Sequence, residues 1–112
     1  MKIAFTTQGK EWDSPIDPRF GRTQMFCVVD EETGDIETFD NSAINKEAHG
    51  AGPRTAQKLT ELGATVLITG NGPGGNAGTV LQSVGVEVYV GAGDMTVKEA
   101  MDAYKAGKLR KF

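Results

Sequence analysis

The sequence predicts an α/β sandwich, with helices on the faces of a mixed sheet of about five strands. Two observations predict this fold. The apolar run Ala64–Ile68 is followed by a glycine-rich loop, a helical pattern and a second apolar run, Val86–Val90, which is the order of a βαβ unit with parallel strands. Earlier in the chain, two β-rich segments flank the turn Glu31–Gly34, which predicts an antiparallel hairpin.

The predicted elements follow in chain order, with a long polar loop from Thr7 to Thr23 after the first strand. The last helix is indicated by Thr96 and Glu99, which have the spacing of a capping box. Glycines at the helix ends, in the αL conformation, are expected to stop each helix. The predicted strands are Lys2–Thr6, Gln24–Asp30, Asp35–Phe39, Thr65–Thr69 and Val86–Val90; the helices begin near Pro53, at Asn76 and after Thr96, and end at Gly63, Gly85 and Gly107.

Composition limits the classes of function. The 112 residues are expected to form a single domain, residues 1–112. The 12 basic and 15 acidic side chains give a net charge of −3, and no long basic cluster is present, which argues against nucleic-acid binding. No apolar stretch approaches the roughly 20 residues of a membrane span, and the N-terminus turns polar at Thr6, so we expect a cytoplasmic protein without a membrane partner. The single cysteine, Cys27, excludes an intrachain disulfide and a Cys-x-x-Cys metal motif, and its strand position favours a buried, inert thiol.

The glycine-rich loop is the strongest functional signal. Glycine removes side chains that would keep a ligand from the backbone, and the helix start behind the loop offers unpaired N–H groups. The pattern therefore predicts a site for something anionic. The candidate residues are Gly70, Asn71, Gly72, Gly74, Gly75 and Asn76.

This loop has three other interpretations. The loop matches the G-x-G-x-x-G pattern of dinucleotide sites, but Pro73 removes a donor and no acidic residue ends the following strand. A phosphate-binding P-loop is disfavoured because Asn76 and Ala77 stand where Lys and Ser or Thr would follow. A glycine-rich turn needed only for a tight strand-to-helix connection remains open.

Two arginines and the only histidine are the other candidates. Arg19 and Arg22 lie on the long first loop, and their planar, always charged groups suit oxyanions or the sulfides of a metal cofactor. The alternative is a pair of surface arginines bound to Asp13 or Asp17. His49 precedes a predicted helix start and is either a solvated or capping side chain or a single imidazole ligand for a metal.

No arrangement of residues resembles a nucleophilic or acid–base catalytic set, so we expect a protein that is not an enzyme. The same loop supports a regulatory module that binds a small anionic metabolite or nucleotide.

The chain resembles the dinitrogenase iron-molybdenum cofactor-binding family, which includes NifX, NafY and the C-terminal part of NifB. The resemblance runs nearly end to end. It rests on the opening Met1–Ala4, on Arg19–Arg22, on Gly50–Gly52, on Thr69–Ala77 and on Gly85–Tyr89.

The resemblance implies a three-layer α/β/α fold with a ribonuclease H-like motif. It also implies a carrier of a metal-sulfur cluster, such as iron-molybdenum cofactor, its precursor or another iron-sulfur cluster, with cluster-assembly proteins as partners, as in nitrogen fixation. The regulatory module that binds a small anionic metabolite or nucleotide is the alternative. A nuclease role is disfavoured because the first strand, Ile3–Phe5, lacks the carboxylate that two-metal chemistry needs.

Overall fold

A six-stranded mixed sheet forms the centre of the protein. The computed structural model describes residues 1–42, 51–73 and 75–112, without the side chains of Ala51, Gly75 and Asn76. The elements within these ranges are β1 Lys2–Thr7, β2 Met25–Asp30, β3 Ile36–Asp40, α1 Ala51–Glu61, β4 Val66–Ile68, α2 Gly75–Ser83, β5 Glu87–Val90, α3 Val97–Lys105 and β6 Arg110–Lys111.

The sheet has the order β3-β2-β1-β4-β5-β6. The predicted antiparallel hairpin is present, and β1, β4 and β5 run parallel to one another. The predicted number of about five strands was one too low. The additional strand, β6, pairs antiparallel with β5 and has only two residues, too few to produce a recognisable hydrophobic pattern.

The buried hydrophobic residues form two clusters, and successive side chains of β1 point alternately into one cluster and into the other. Ala4 belongs to the first cluster, whereas Ile3 and Phe5 belong to the second. Helices α1 and α2 contribute to the first cluster, for example through Leu59 and Leu81, and α3 contributes Val97, Ala100 and Met101 to the second. The mixed α/β fold is thus confirmed, while the three-layer arrangement and the ribonuclease H-like motif stay predictions.

The helix ends follow the local chemistry of the sequence. Thr96 and Glu99 form the predicted capping box at the start of α3. Gly63 and Gly85 adopt positive φ angles of 81° and 78° after α1 and α2, a conformation that costs glycine little. Helix α1 includes Ala51, so the predicted start near Pro53 is two residues late. Its 11 residues make it the longest described helix, and no described helix is long and apolar enough to span a membrane.

Candidate functional site

Three loops meet at the carboxyl ends of the parallel strands β1, β4 and β5, the edge where open α/β sheets usually bind ligands. Backbone hydrogen bonds connect the three loops. The amide of Asn71, after β4, donates to the carbonyl of Pro18 in the loop after β1, at 2.8 Å. The amide of Gly91, after β5, donates to the carbonyl of Gly70 at 3.0 Å. The glycine loop is therefore fixed between its two neighbours.

Gly70 is the point of closest approach among the three loops. A Cβ atom on Gly70 would lie 2.7 Å from the Cα of Pro18 and 2.9 Å from the Cα of Gly93, both backbone atoms that cannot move aside easily. Only glycine fits there. The space freed by the missing side chain of Gly70 is thus filled by the protein's own backbone, and this glycine shapes the site by packing.

The ring of Phe112 lies against Gly72. A side chain on Gly72 would overlap the ring, and the amide of Phe112 donates to the carbonyl of Val88 at 2.8 Å, which holds the residue beside β5. Phe112 is nevertheless 62% exposed. One side of Gly72 is therefore in contact with an aromatic ring, although Gly72 and Asn71 beside it are both exposed to solvent.

Buried hydroxyl groups fasten the first loop to the sheet. Thr6 on β1 donates its Oγ1 hydrogen to the carbonyl of Asp17 at 2.7 Å, and its Oγ1 lies 2.8 Å from the Oγ1 of Thr69, just after β4. The amide of Asp17 donates to the carbonyl of Thr6 at 2.8 Å. All three residues are fully buried, so these polar groups satisfy one another away from water.

The carboxylate of Asp17 organises the arginine loop. One oxygen accepts from the backbone amide and the Nε of Arg19, at 3.0 and 3.1 Å. The other accepts from the Nη2 of Arg19 and the backbone amide of Gln24, both at 3.1 Å. Burial acts to raise the pKa of Asp17, but the hydrogen bonds from Arg19 and Gln24 outweigh it and hold this pKa below its ordinary value.

Arg19 is oriented by this bidentate contact while its side chain stays 52% exposed. The contact with Asp17 raises the pKa of Arg19, so its charge is permanent. The alternative arrangement, in which an arginine pairs with Asp17, is therefore present, and it leaves half of the Arg19 side chain accessible to a ligand. Arg22 is exposed on the same loop and has an interaction partner of its own.

Phe20, between the two arginines, anchors the loop in the core. It is buried and packs edge-on against Phe26, with ring centroids 6.1 Å apart. The side-chain amide of Asn41, after β3, donates to the carbonyl of Gly21 at 3.3 Å, and the hydroxyl of Thr55 on α1 donates to the same carbonyl at 3.4 Å. The described residues before and after segment 43–50 thus both contact the arginine loop.

The predicted site residues divide into two groups. Arg19, Arg22, Gly70, Asn71 and Gly72 are described, and the contact of Pro18 with Gly70 and Asn71 joins their two loops. His49 and Gly74 lie outside the described residues, and Gly75 and Asn76 open α2 without described side chains. The described residues contain no group of three or more His, Cys, Asp or Glu side chains that could hold a metal ion.

Cys27 is buried as predicted. Its Sγ lies 3.7 Å from the Oγ1 of Thr7 and donates to the carbonyl of Gly9 at 3.5 Å. Burial raises the pKa of its thiol, so the reactive thiolate is disfavoured.

Sequence reasoning missed Asp17, Thr6, Thr69 and Phe112 as residues that shape the site. Asp17 was considered only as a surface partner of the arginines, because nothing in a polar loop indicates that one carboxylate is buried. A hydroxyl at the carboxyl end of each of two predicted strands was a usable signal for Thr6 and Thr69.

Comparisons with known proteins match this chain along its length. The sequence profile of the family described as "Dinitrogenase iron-molybdenum cofactor" matches residues 1–107. An uncharacterized protein of Methanocaldococcus jannaschii, MJ0580, is 33% identical over 116 residues, covering 100% of this chain and 92% of the relative.

Solved structures agree with the fold. The apo form of the orange protein from Desulfovibrio gigas is 39% identical with a TM-score of 0.92, covering 99% of this chain and 92% of that one. A putative NifB protein from Thermotoga, of the DUF35 family, is 37% identical with a TM-score of 0.84, covering 98% and 91%.

Proposed function

Because the chain belongs to the dinitrogenase iron-molybdenum cofactor family, we propose that it is a non-catalytic carrier of a preformed metal-sulfur cluster. The cargo is an iron-molybdenum cofactor-like cluster or another molybdenum- or iron-sulfur cluster, delivered during metallocluster assembly. The proposal includes the three-layer, ribonuclease H-like arrangement that the family resemblance implies.

The single observation that carries the proposal is the arginine loop fixed against the glycine loop. Asp17 orients the guanidinium of Arg19, and Pro18, the residue between them, accepts the amide hydrogen of Asn71. A permanent positive charge is thereby held beside the loop that leads into α2. A pre-oriented donor loses less conformational entropy when it binds an anion, which favours capture of an anionic cluster.

The proposed cluster requires few ligands from the protein. A preformed cluster already carries bridging sulfides, so it needs only one or two protein ligands and donors around its anionic rim. We assign His49 as the metal ligand and Arg19 and Arg22 as rim donors. The loop residues Gly70, Asn71, Gly72 and Gly74–Asn76 would form the backbone wall, with the start of α2 facing the negative charge.

The proposal is tested by anaerobic loading. Protein purified without oxygen is incubated with tetrathiomolybdate, a simple molybdenum-sulfide anion, or with a reconstituted iron-sulfur cluster. After gel filtration, molybdenum, iron and sulfide are quantified and the visible absorbance is recorded. Wild type is expected to retain near-stoichiometric metal. His49→Ala and Arg19→Ala are each expected to raise the Kd for the cluster by about tenfold, the effect of losing roughly 1.4 kcal/mol of binding free energy, and therefore to retain less metal than wild type at equal loading.

The matched control is Lys105→Ala, which removes an exposed cation from the last turn of α3 and should load like wild type. Equal, negligible uptake by wild type and all variants would refute the carrier function. A thermal shift with phosphorylated metabolites that survives His49→Ala, without cluster uptake, would favour the regulatory module instead.

A further inference from the structure

The two edges of the sheet carry opposite charges. Segment 30–40, which contains the turn and strand β3, has six acidic residues and no basic residue. Segment 105–112, which contains β6, has four basic residues and no acidic residue. Within the described part of the chain, β3 and β6 are the outermost strands of the sheet. The two chain segments that form these edges therefore carry side-chain charges of opposite sign.

The edges are accessible to another molecule. Glu37 and Thr38 of β3 are exposed, as are both residues of β6, Arg110 and Lys111. An outer strand has main-chain donors and acceptors on its open side, which another strand can pair with. The charges decide which strand that can be.

The strand directions allow the two edges to pair with each other. β3 runs parallel to β1, because both are antiparallel to β2, and β6 runs antiparallel to β5 and hence to β1. β3 and β6 therefore run in opposite directions. A second copy placed beside the first, in the same orientation, would bring its β6 against β3 as an antiparallel pair.

The side chains would meet on the correct face. Phe39 packs on the first core cluster, so Glu37, two residues earlier, lies on the same face of β3. Arg110 stands opposite Val90, which also belongs to the first cluster, so Arg110 emerges on that face as well. In the paired copies, Glu37 and Arg110 would be cross-strand neighbours of opposite charge.

Basic side chains near these edges reduce the charge contrast without abolishing it. Lys111 pairs with Glu87 at 3.5 Å across exposed surface, and Lys2 lines a small pocket together with Glu37. Lys58 of α1 lies over the ring of Phe39 on β3, with its Nζ 4.7 Å from the ring centroid, but it also pairs with Glu61 at 3.5 Å. Arg110 and Lys108 remain as exposed cations at the β6 edge. Pairing of β3 with β3, or of β6 with β6, would bring like charges together and is disfavoured.

We propose that copies of this chain associate head to tail, with the acidic β3 edge of one copy against the basic β6 edge of the next. The contact extends the sheet from one copy into the next and is heterologous, so it can repeat along a row of copies. Because β6 has two residues and β3 has five, the interface is small and the association is weak and sensitive to salt.

Sedimentation velocity over a range of protein concentrations tests the proposal. At about 0.01 M salt, where the screening length is about 30 Å, the weight-average sedimentation coefficient should rise with concentration. At about 1 M salt, where that length is about 3 Å, it should remain at the value of an 11.9 kDa monomer.

Charge reversal identifies the edges. Glu37→Lys and Arg110→Glu should each weaken association by about tenfold, because each turns an attractive cross-strand pair into a repulsive one. An equimolar mixture of the two variants should associate again, since each supplies the unchanged edge that the other lacks. The controls Asp102→Lys and Lys98→Glu make the same charge changes at exposed positions of α3 and should behave like wild type.

Circular dichroism and thermal unfolding establish that every variant is folded, as expected for exposed substitutions. Association that is equal at both salt concentrations, controls that weaken it as much as the edge variants, or a mixture that stays monomeric would each overturn the proposal. A wild type that remains monomeric at low salt to the highest concentration would also overturn it, and would leave the cluster-carrier function unaffected.

Discussion

The carboxylate of Asp17 is expected to be a major source of stability for the candidate site. It is fully buried and accepts four hydrogen bonds, two of them from backbone amides. Asp17→Asn keeps the shape but removes the charge and turns one acceptor oxygen toward donors as an NH₂ group. Since a hydrogen bond to a charged group contributes about 1.5–3 kcal/mol and a buried unpaired donor costs a similar amount, we expect a loss of about 2–4 kcal/mol in the free energy of unfolding.

Arg19→Ala should reduce stability much less than Asp17→Asn does. The guanidinium is half exposed, so its ion pair with Asp17 is screened by solvent and should contribute about 1 kcal/mol or less. The backbone amides of residues 19 and 24 would still bind the carboxylate. Urea denaturation followed by circular dichroism measures the free energy of unfolding of both variants. In thermal unfolding, a loss of 1 kcal/mol lowers Tm by about 4 °C for a domain of this size, so Asp17→Asn should lower Tm by about 8–16 °C.

The pH dependence follows from the lowered pKa of Asp17 in the folded state. The unfolded chain binds a proton on this carboxylate at higher pH than the folded protein does, so the contribution is complete above the ordinary pKa of about 4. It is lost as the pH falls through the lower, folded-state pKa. Asp17→Asn should therefore lose less stability than wild type in this acidic range. If the free energy of unfolding of Asp17→Asn lies within about 0.5 kcal/mol of the wild-type value, or is no lower than that of Arg19→Ala, the assignment of a central role to the carboxylate is refuted.

Three further predictions concern packing, reactivity and capping. Gly70→Ala should destabilise the protein by about 1–3 kcal/mol in thermal unfolding, because its new methyl group would lie 2.7 Å from the Cα of Pro18. The control Gly93→Ala, whose Cβ would lie 3.5 Å from its nearest neighbour, should cost clearly less, and equal losses would contradict the reasoning. Cys27 should resist alkylation by iodoacetamide in native protein at neutral pH and react in urea, because it is buried and the pKa of its thiol is raised. Mass spectrometry measures the labelled fraction, and rapid labelling of the native protein would contradict the burial of this thiol. Thr96→Ala should cost about 1 kcal/mol through loss of the α3 cap, and a chemical denaturation curve unchanged from wild type would exclude that contribution.

The elements that could be predicted from sequence are those with a local cause. The βαβ unit, the hairpin turn and the capping box of α3 depend on hydrophobic period and on residues within one turn of one another, and all are present. Strand β6 could not be predicted because its pairing with β5 depends on tertiary packing and not on a pattern in Arg110 and Lys111.

The candidate site divides in the same way. Composition and spacing indicated the glycine loop and Arg19, because glycine and arginine have distinctive backbone and charge properties. Only the tertiary structure decided that Gly70 packs between Pro18 and Gly93, that the ring of Phe112 lies against Gly72, and that Asp17 is buried. These are contacts between residues far apart in the chain, so their energies depend on how the strands bring the loops together. Sequence alone therefore determined which loops are the candidates for ligand binding, and the sheet determined how those loops are held.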